Sequence, residues 1–570
     1  LHQAIARDGK ANHIQDLTTE FSSAVDFSNG GKMQFYKILA LMIVAVVTSC
    51  APSASPTQTI SNNPSSAVAH LNGGTFVRAM TSEPASIDPQ GAATSGLSLV
   101  APYLFDTLVT RDVDNKLVPV LAESWHTSDD GKAITLKLKS GVTFQDGTPF
   151  NAQAVQFTFK RFKETGTKSP IYDGVKRIED IQVIDDLTVR FTFKEPTANF
   201  WSTLTMPYAG IISPDSARKV TETGKGNLIG TGAFILAEWK AGQSLTLKRN
   251  PDYRWGAPIT QNRAAPYLDA LVFKVIPDAA TQLAALQTGD VDAIFVNQPD
   301  HIAKLRNTPT IQLIETELNS LIYLAFNCKK PPFNDARVRQ ALSRAINKEE
   351  IIQVALGGIG KRASTYLPPT LLGYDAALES YEIKYDTKRA QAELQALGFI
   401  QSANGTWEKD GQALKGLLLT SNRAPNDAIA ALIQAQFKAI GVPIEIQQLD
   451  SKAVADATAT GKFDFLLYRY DWNDPDALNI YLGSDRIGTT NRAAYSNPAV
   501  DQLLAQGVSE LDQTKRIQIY SQAQKLIMQD APWQPLYIPV DVMAFNKRFD
   551  GVKLGFMGRM LLNDVRFVGK

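Results

Sequence analysis

Apolar and polar residues alternate in two short stretches, Ile134-Thr135-Leu136-Lys137-Leu138-Lys139 and Thr188-Val189-Arg190-Phe191-Thr192-Phe193-Lys194. A period of two sends successive side chains to opposite faces, so both stretches predict half-buried strands. Elsewhere the period is helical. Residues 278–283 open a helix with Asp278 as its N-cap, because a short carboxylate can accept from the free N–H groups of a first turn. Gly289 stands where that helix should stop, and residues 291–295 follow as a short strand. The second half repeats this order. Ile429, Leu432, Ile433, Phe437 and Ile440 share one face of a helix over 428–440, Gly441 fits the left-handed position after it, and 442–446 alternates as a strand. A basic amphipathic helix is predicted over 335–346, with Arg337, Arg339 and Arg344 on a solvated face and Val338, Leu342 and Ala345 buried. The fold class is α/β, and two α/β lobes is the arrangement the pattern suggests.

The N-terminal pattern differs. Lys37 precedes ten uninterrupted apolar residues, 38–47, the length of a signal-peptide core and too short to span a bilayer. Val47-Thr48-Ser49-Cys50 then resembles a bacterial lipobox, with Cys50 as the site of lipid attachment. Residues 51–69 are almost all Ala, Pro, Ser, Thr, Gln and Asn, a composition that cannot bury enough apolar surface to fold and reads as a tether. The expected organisation is therefore an upstream artefact over 1–32, a lipoprotein signal peptide over 33–49 and a flexible tether over 50–72. The expected location is outside the cytoplasm, on the periplasmic side or the cell surface.

With 570 residues the chain exceeds one ordinary core. Fifty-eight Lys and Arg face 57 Asp and Glu, so there is no basic field and nucleic acid is not an expected partner. Two cysteines make no disulfide framework, and five scattered histidines without HExxH or CxxC make no zinc site. No cofactor is expected. Gly357-Gly358-Ile359-Gly360-Lys361 looks like a phosphate loop, but Ala355 replaces its first glycine and Arg362 follows the lysine. With no GxSxG either, an enzyme is not expected.

From about residue 74 onward the chain resembles the peptide/nickel class of bacterial extracellular solute-binding proteins. The blocks that carry this include Ser82-Glu83-Pro84, Leu104-Phe105-Asp106-Thr107-Leu108, Gly141 to Phe150, Gly230-Thr231-Gly232-Ala233-Phe234, Arg249-Asn250-Pro251-Asp252-Tyr253 and Pro331 to Ala341. The resemblance implies a two-lobed periplasmic-binding-protein fold that closes by hinge bending. It implies lobe I over 73–320 with a subdomain at about 111–230, lobe II over 321–534, and a return to lobe I over 535–570. It further implies a monomer that captures a peptide in the interlobe cleft and passes it to an ABC permease with its ATPase subunits, anchored to the membrane by lipid. A nickel chelate, an oligosaccharide, or a peptide-sensing receptor role are the alternatives.

In Tyr470-Asp471-Trp472-Asn473-Asp474-Pro475-Asp476 the match implies that Asp471 meets the α-amino group of a bound peptide. A carboxylate covered by lobe closure needs a cation, and an ammonium brings charge and donors together. Trp472, Asn473 and Tyr470 flank it. Trp472 and Tyr470 could line side-chain pockets or pack in a core, and Asp474 and Asp476 could belong to a turn and cap. Tyr323 near the crossover and Ser95 in lobe I are further expected ligand contacts. Some oligopeptide-binding members carry an arginine six residues before the key aspartate; Phe465 stands there, and the nearest arginine is Arg469. Cys328 is expected to be a free, partly buried thiol. A Cys50→Ser variant is expected to leave the membrane fraction, and its persistence in the pellet after a carbonate wash would refute the lipobox reading.

Overall fold

The computed structural model describes residues 72–569, except 92, 93, 167, 224 and 225. The expected signal segment and Cys50 lie outside the described residues. Two large sheets organise the chain. The first has seven strands in the order Ile311–Glu317, Val540–Asn546, Ala293–Val296, Thr75–Met80, Ala270–Val275, Ser244–Arg249, Phe234–Lys240. The second has six, in the order Lys361–Arg362, Trp533–Ile538, Ser320–Phe326, Phe465–Asp471, Gly416–Ser421, Ile444–Leu449. A smaller four-stranded sheet, Ala122–Thr127, Ala133–Leu138, Thr188–Phe193, Ile178–Asp185, holds both alternating stretches and carries the helix Ala152–Thr165. Phe159 and Phe162 of that helix are fully buried.

Ser320–Phe326 is buried along its whole length, because helices cover both faces of its sheet. Ile322, Leu324 and Phe326 enter one core with the helices Ala336–Ser343 and Asn426–Ala439. Leu321, Tyr323 and Ala325 enter the other, with the helix Gln513–Asp530. The chain passes from the first sheet to the second through Leu318 and Asn319, and returns through Pro539. The expected boundaries, 320/321 and 534/535, both fall inside strands of the six-stranded sheet, Ser320–Phe326 and Trp533–Ile538.

The helix ends follow the sequence closely. Asp278 accepts from Thr281 N, and Gly289 closes that helix at φ +84°. Gly441 stands at φ +85° after Asn426–Ala439, and Val442 N bonds back to Phe437 O at 2.9 Å. That bond keeps Val442 in the helix cap, so the strand begins at Ile444. The expected solvated arginine face is corrected: Arg337 is exposed, but Arg344 is half-buried against Glu393 at 2.9 Å. Arg339 is not on a solvated face: it is 4% exposed and donates to Phe333 O at 2.8 Å and to the carbonyls of Asp530 and Ala531. It satisfies the carbonyl end of the helix Gln513–Asp530, a task for which a guanidinium has enough donors.

Several of the sequence blocks converge on one buried carboxylate, Asp106. Its oxygens accept from Thr231 Oγ1 and Trp255 Nε1 at 3.0 Å each and from Tyr253 OH at 3.1 Å. Gly232 passes so close to this segment that a Cβ there would lie 2.4 Å from Leu104 C. Gln145 adds donors to Leu104 O, Gly232 O and Phe234 O. Removing the acceptor strands three buried donors, each costing roughly 1–3 kcal/mol. Asp106→Ala is therefore expected to destabilise the protein by about 3 kcal/mol or more, read as a lowered urea midpoint, with Asp106→Asn losing less.

Candidate functional site

Where the two sheets meet, the strand Phe465–Asp471 ends on Asp471. It runs parallel to Gly416–Ser421 and antiparallel to Ser320–Phe326, with Asp471 opposite Ser320. The carboxyl end of parallel strands at a sheet boundary is where open α/β sheets bind ligands. The Asp471 side chain is 46% exposed. It accepts from Ser320 Oγ and forms a two-pronged ion pair with Arg469, whose Nε lies 2.8 Å from Oδ2. From the seven-stranded sheet, Asp541 and Arg78 face the same region. Burial raises the Asp541 carboxyl above its usual range, against the pull of Arg469.

The neighbours of Asp471 divide. Trp472 N donates to Asn319 O at 3.1 Å, and its half-buried ring lines an open groove with Ile171, Arg177, Asn199, Met206 and Ile480. Asn473 is 2% exposed and spends its Nδ2 on Ser202 O at 3.2 Å and Thr205 Oγ1 at 3.1 Å. It thus ties the six-stranded-sheet lobe to the helix Phe200–Thr205 of the other. Arg486 to Asp173 at 3.2 Å and Ala198 N to Val508 O at 3.0 Å extend this contact.

Tyr470 and Tyr323 are not cleft walls. Tyr323 is 1% exposed and stacks on Trp533 at 3.9 Å. Tyr470 is equally buried, lies 5.5 Å from the Tyr481 ring and donates to Tyr366 O at 2.6 Å. Both rings point into a core because their strands are covered on both faces, so a position beside the crossover does not bring exposure. Ser95 opens the helix Ser95–Leu104, and its side chain lies outside what is described. Next to it, Thr94 caps Leu97 N at 3.1 Å, and Gly96 is pressed against the backbone of Glu83. Cys328 is a free, half-buried thiol that burial pushes up to about 11.

Sequence reasoning missed Asp474 and Asp476 as buried carboxylates. Asp474 is gripped by Arg516 at 2.6 and 3.0 Å. Burial works to raise Asp474, but Arg516 holds it below its usual value. Among the described residues Asp476 has no ion-pair partner, and Arg177 and Arg516 act on it only at longer range. It accepts from Asn199 Nδ2 at 2.8 Å across the lobe contact, while its Oδ1 and the Oδ1 of Asn199 are both buried without a donor. Burial, and then the Asp474 charge, push it up to about 6. A proton on this carboxyl would supply the missing donor.

Among the described residues no group of His, Cys, Asp and Glu is arranged to hold a metal ion, and no helix is long and apolar enough to cross a membrane.

Residues 116–488 match bacterial extracellular solute-binding proteins, family 5 (middle). A heme-binding protein A of Haemophilus influenzae is 32% identical over 462 residues, covering 76% of this chain and 81% of that one. A di/tripeptide-binding protein of Pseudomonas aeruginosa is 29% identical, covering 77% and 85%. The oligopeptide-binding protein AppA of Bacillus subtilis, solved with a nonapeptide, superposes with a TM-score of 0.73 at 26% identity, over 88% of this chain and 100% of that one.

The raised Asp476 carboxyl fixes a pH dependence. Its ordinary value is near ~4, so its contribution is full below that and is lost as pH rises through about 6. Asp476→Asn is expected to raise the melting temperature at pH 7, by the equivalent of ~2 kcal/mol, with the gain vanishing toward pH 4. An equal gain at both pH values would refute this.

Proposed function

The chain belongs to family 5 of the bacterial extracellular solute-binding proteins, and we propose that it captures peptides outside the membrane and hands them to an ABC permease with its ATPase subunits. The protein is a binding component of transport and not an enzyme. One observation carries the peptide reading. Asp471 is a half-exposed carboxylate at the carboxyl end of a parallel strand, beside the crossing between sheets, and its only ion-pair partner among the described residues is a side chain that can swing away. The di/tripeptide-binding relative and the nonapeptide complex support the same ligand class.

In this reading the peptide ammonium takes Asp471, Trp472 borders the first side-chain pocket, and Asn473 holds the lobes together across the bound chain. With the boundaries moved to the two crossings, lobe I comprises the chain from about 73 to 317 and from 540 onward, with its subdomain at about 111–230, and lobe II comprises 320–538. They close about the paired crossings. Cys50 carries the lipid that keeps the monomeric protein at the membrane, where a diffusing ligand is concentrated near its permease.

Native mass spectrometry of the protein purified from rich medium, followed by denaturation, tests the ligand class. A ladder of peptides with free amino termini is the expected result, and a single non-peptide solute would overturn it. Asp471→Ala is expected to weaken peptide binding by at least a hundredfold in calorimetry while the fold stays intact. Unchanged affinity would remove Asp471 as the amine anchor.

A further inference from the structure

Asp471 is already neutralised. Arg469 lies two residues back on the same strand, so its side chain leaves on the same face and pairs with both oxygens of Asp471. An ammonium that binds Asp471 must displace this guanidinium, and the displaced group still needs an anion.

It is not the only arginine in that position. Arg423, exposed, follows the end of the neighbouring parallel strand Gly416–Ser421. Arg78 reaches in from the seven-stranded sheet at 2% exposure, with its guanidinium 4.6 Å from the centre of the Phe295 ring. Its Nε and Nη2 are buried without a hydrogen-bond partner among the described residues. Phe295 itself is 39% exposed on that lobe, so the arginine lies beneath an open apolar surface. Against these three cations stand Asp471 and Asp541, and Asp541 lies in the field of all three. Positive charge is therefore in excess before a ligand arrives; a peptide whose ammonium and terminal carboxylate cancel leaves that excess in place, and an added acidic side chain removes it. Charges gathered in a cleft penalise a like-charged ligand and reward an opposite one, the more so as closure removes water.

We propose that the cleft selects acidic peptides, whose ammonium takes Asp471 and whose carboxylates take the displaced Arg469 and Arg423, with Arg78 supplying positive potential from the other lobe. This rests on the reading of Asp471 as the amine anchor. It assigns Arg469 two partners: Asp471 in the empty cleft, and a ligand carboxylate in the filled one. Lysine- and arginine-rich peptides are excluded by the same charges.

The protein, stripped of its contents, is loaded with a pronase digest of casein, washed, and the retained peptides are sequenced by mass spectrometry. The retained set is expected to hold at least threefold more Asp and Glu than the digest, with Lys and Arg depleted. Arg469→Met should abolish this enrichment. Arg423→Gln, an exposed change that does not threaten folding, should at least halve it. Retention that depends on Asp471 but mirrors the digest, or favours basic peptides, overturns the proposal and leaves the peptide reading standing. Retention of no peptide at all overturns both.

Discussion

The chain crosses between the two large sheets at two points, and those points are bonded to each other. Leu318 N donates to Pro539 O at 3.0 Å, linking the outgoing connection to the returning one. Each connection is one or two residues long, so neither can flex far, and side by side they define an axis. Everything that makes a cleft follows. Strands Ile311–Glu317 and Val540–Asn546 pair on one side of the axis, and Ser320–Phe326 and Trp533–Ile538 pair on the other. The end of Phe465–Asp471 is brought to the axis by its pairing with Ser320–Phe326. A carboxylate placed there moves little when the lobes rotate, which suits the anchoring role proposed for Asp471.

Three carboxylates within six residues, Asp471, Asp474 and Asp476, have three different fates because their surroundings differ. Asp471 stays partly in water beside an arginine of its own strand. Asp474 is sealed in with Arg516, so its charge is fixed. Asp476 is sealed in with only an amide to meet it. The same side chain is thus an exchangeable contact, a structural anchor and a titrating group, according to which cation the fold places beside it.

Local chemistry was legible in the sequence. Asp278, Gly289 and Gly441 punctuate their helices as expected, since caps depend on neighbours in the chain. The two alternating stretches are strands, since one face of their sheet meets solvent. What failed involved partners far away in sequence. Tyr323 and Tyr470 carry no mark that distinguishes a buried ring from a pocket wall; only the double covering of their sheet decides it. The burial of Arg339 depends on carbonyls some 190 residues on. The pair of Arg469 with Asp471 could have been found, because two residues on one strand face the same way. The blocks around Asp106 were visible as blocks, but their convergence on one carboxylate was not.

The strand Val540–Asn546 sits inside the seven-stranded sheet, between Ile311–Glu317 and Ala293–Val296. Without it that sheet falls into two unconnected parts, one of them a single strand. The seven-stranded sheet begins at Thr75 yet cannot be finished until residue 546 has emerged, whereas every strand of the other large sheet is available by residue 538. A chain made from its N-terminus therefore completes its second sheet first, while the first remains open until synthesis is nearly over. That order delays the assembly of the largest sheet until the last few dozen residues of the chain have emerged.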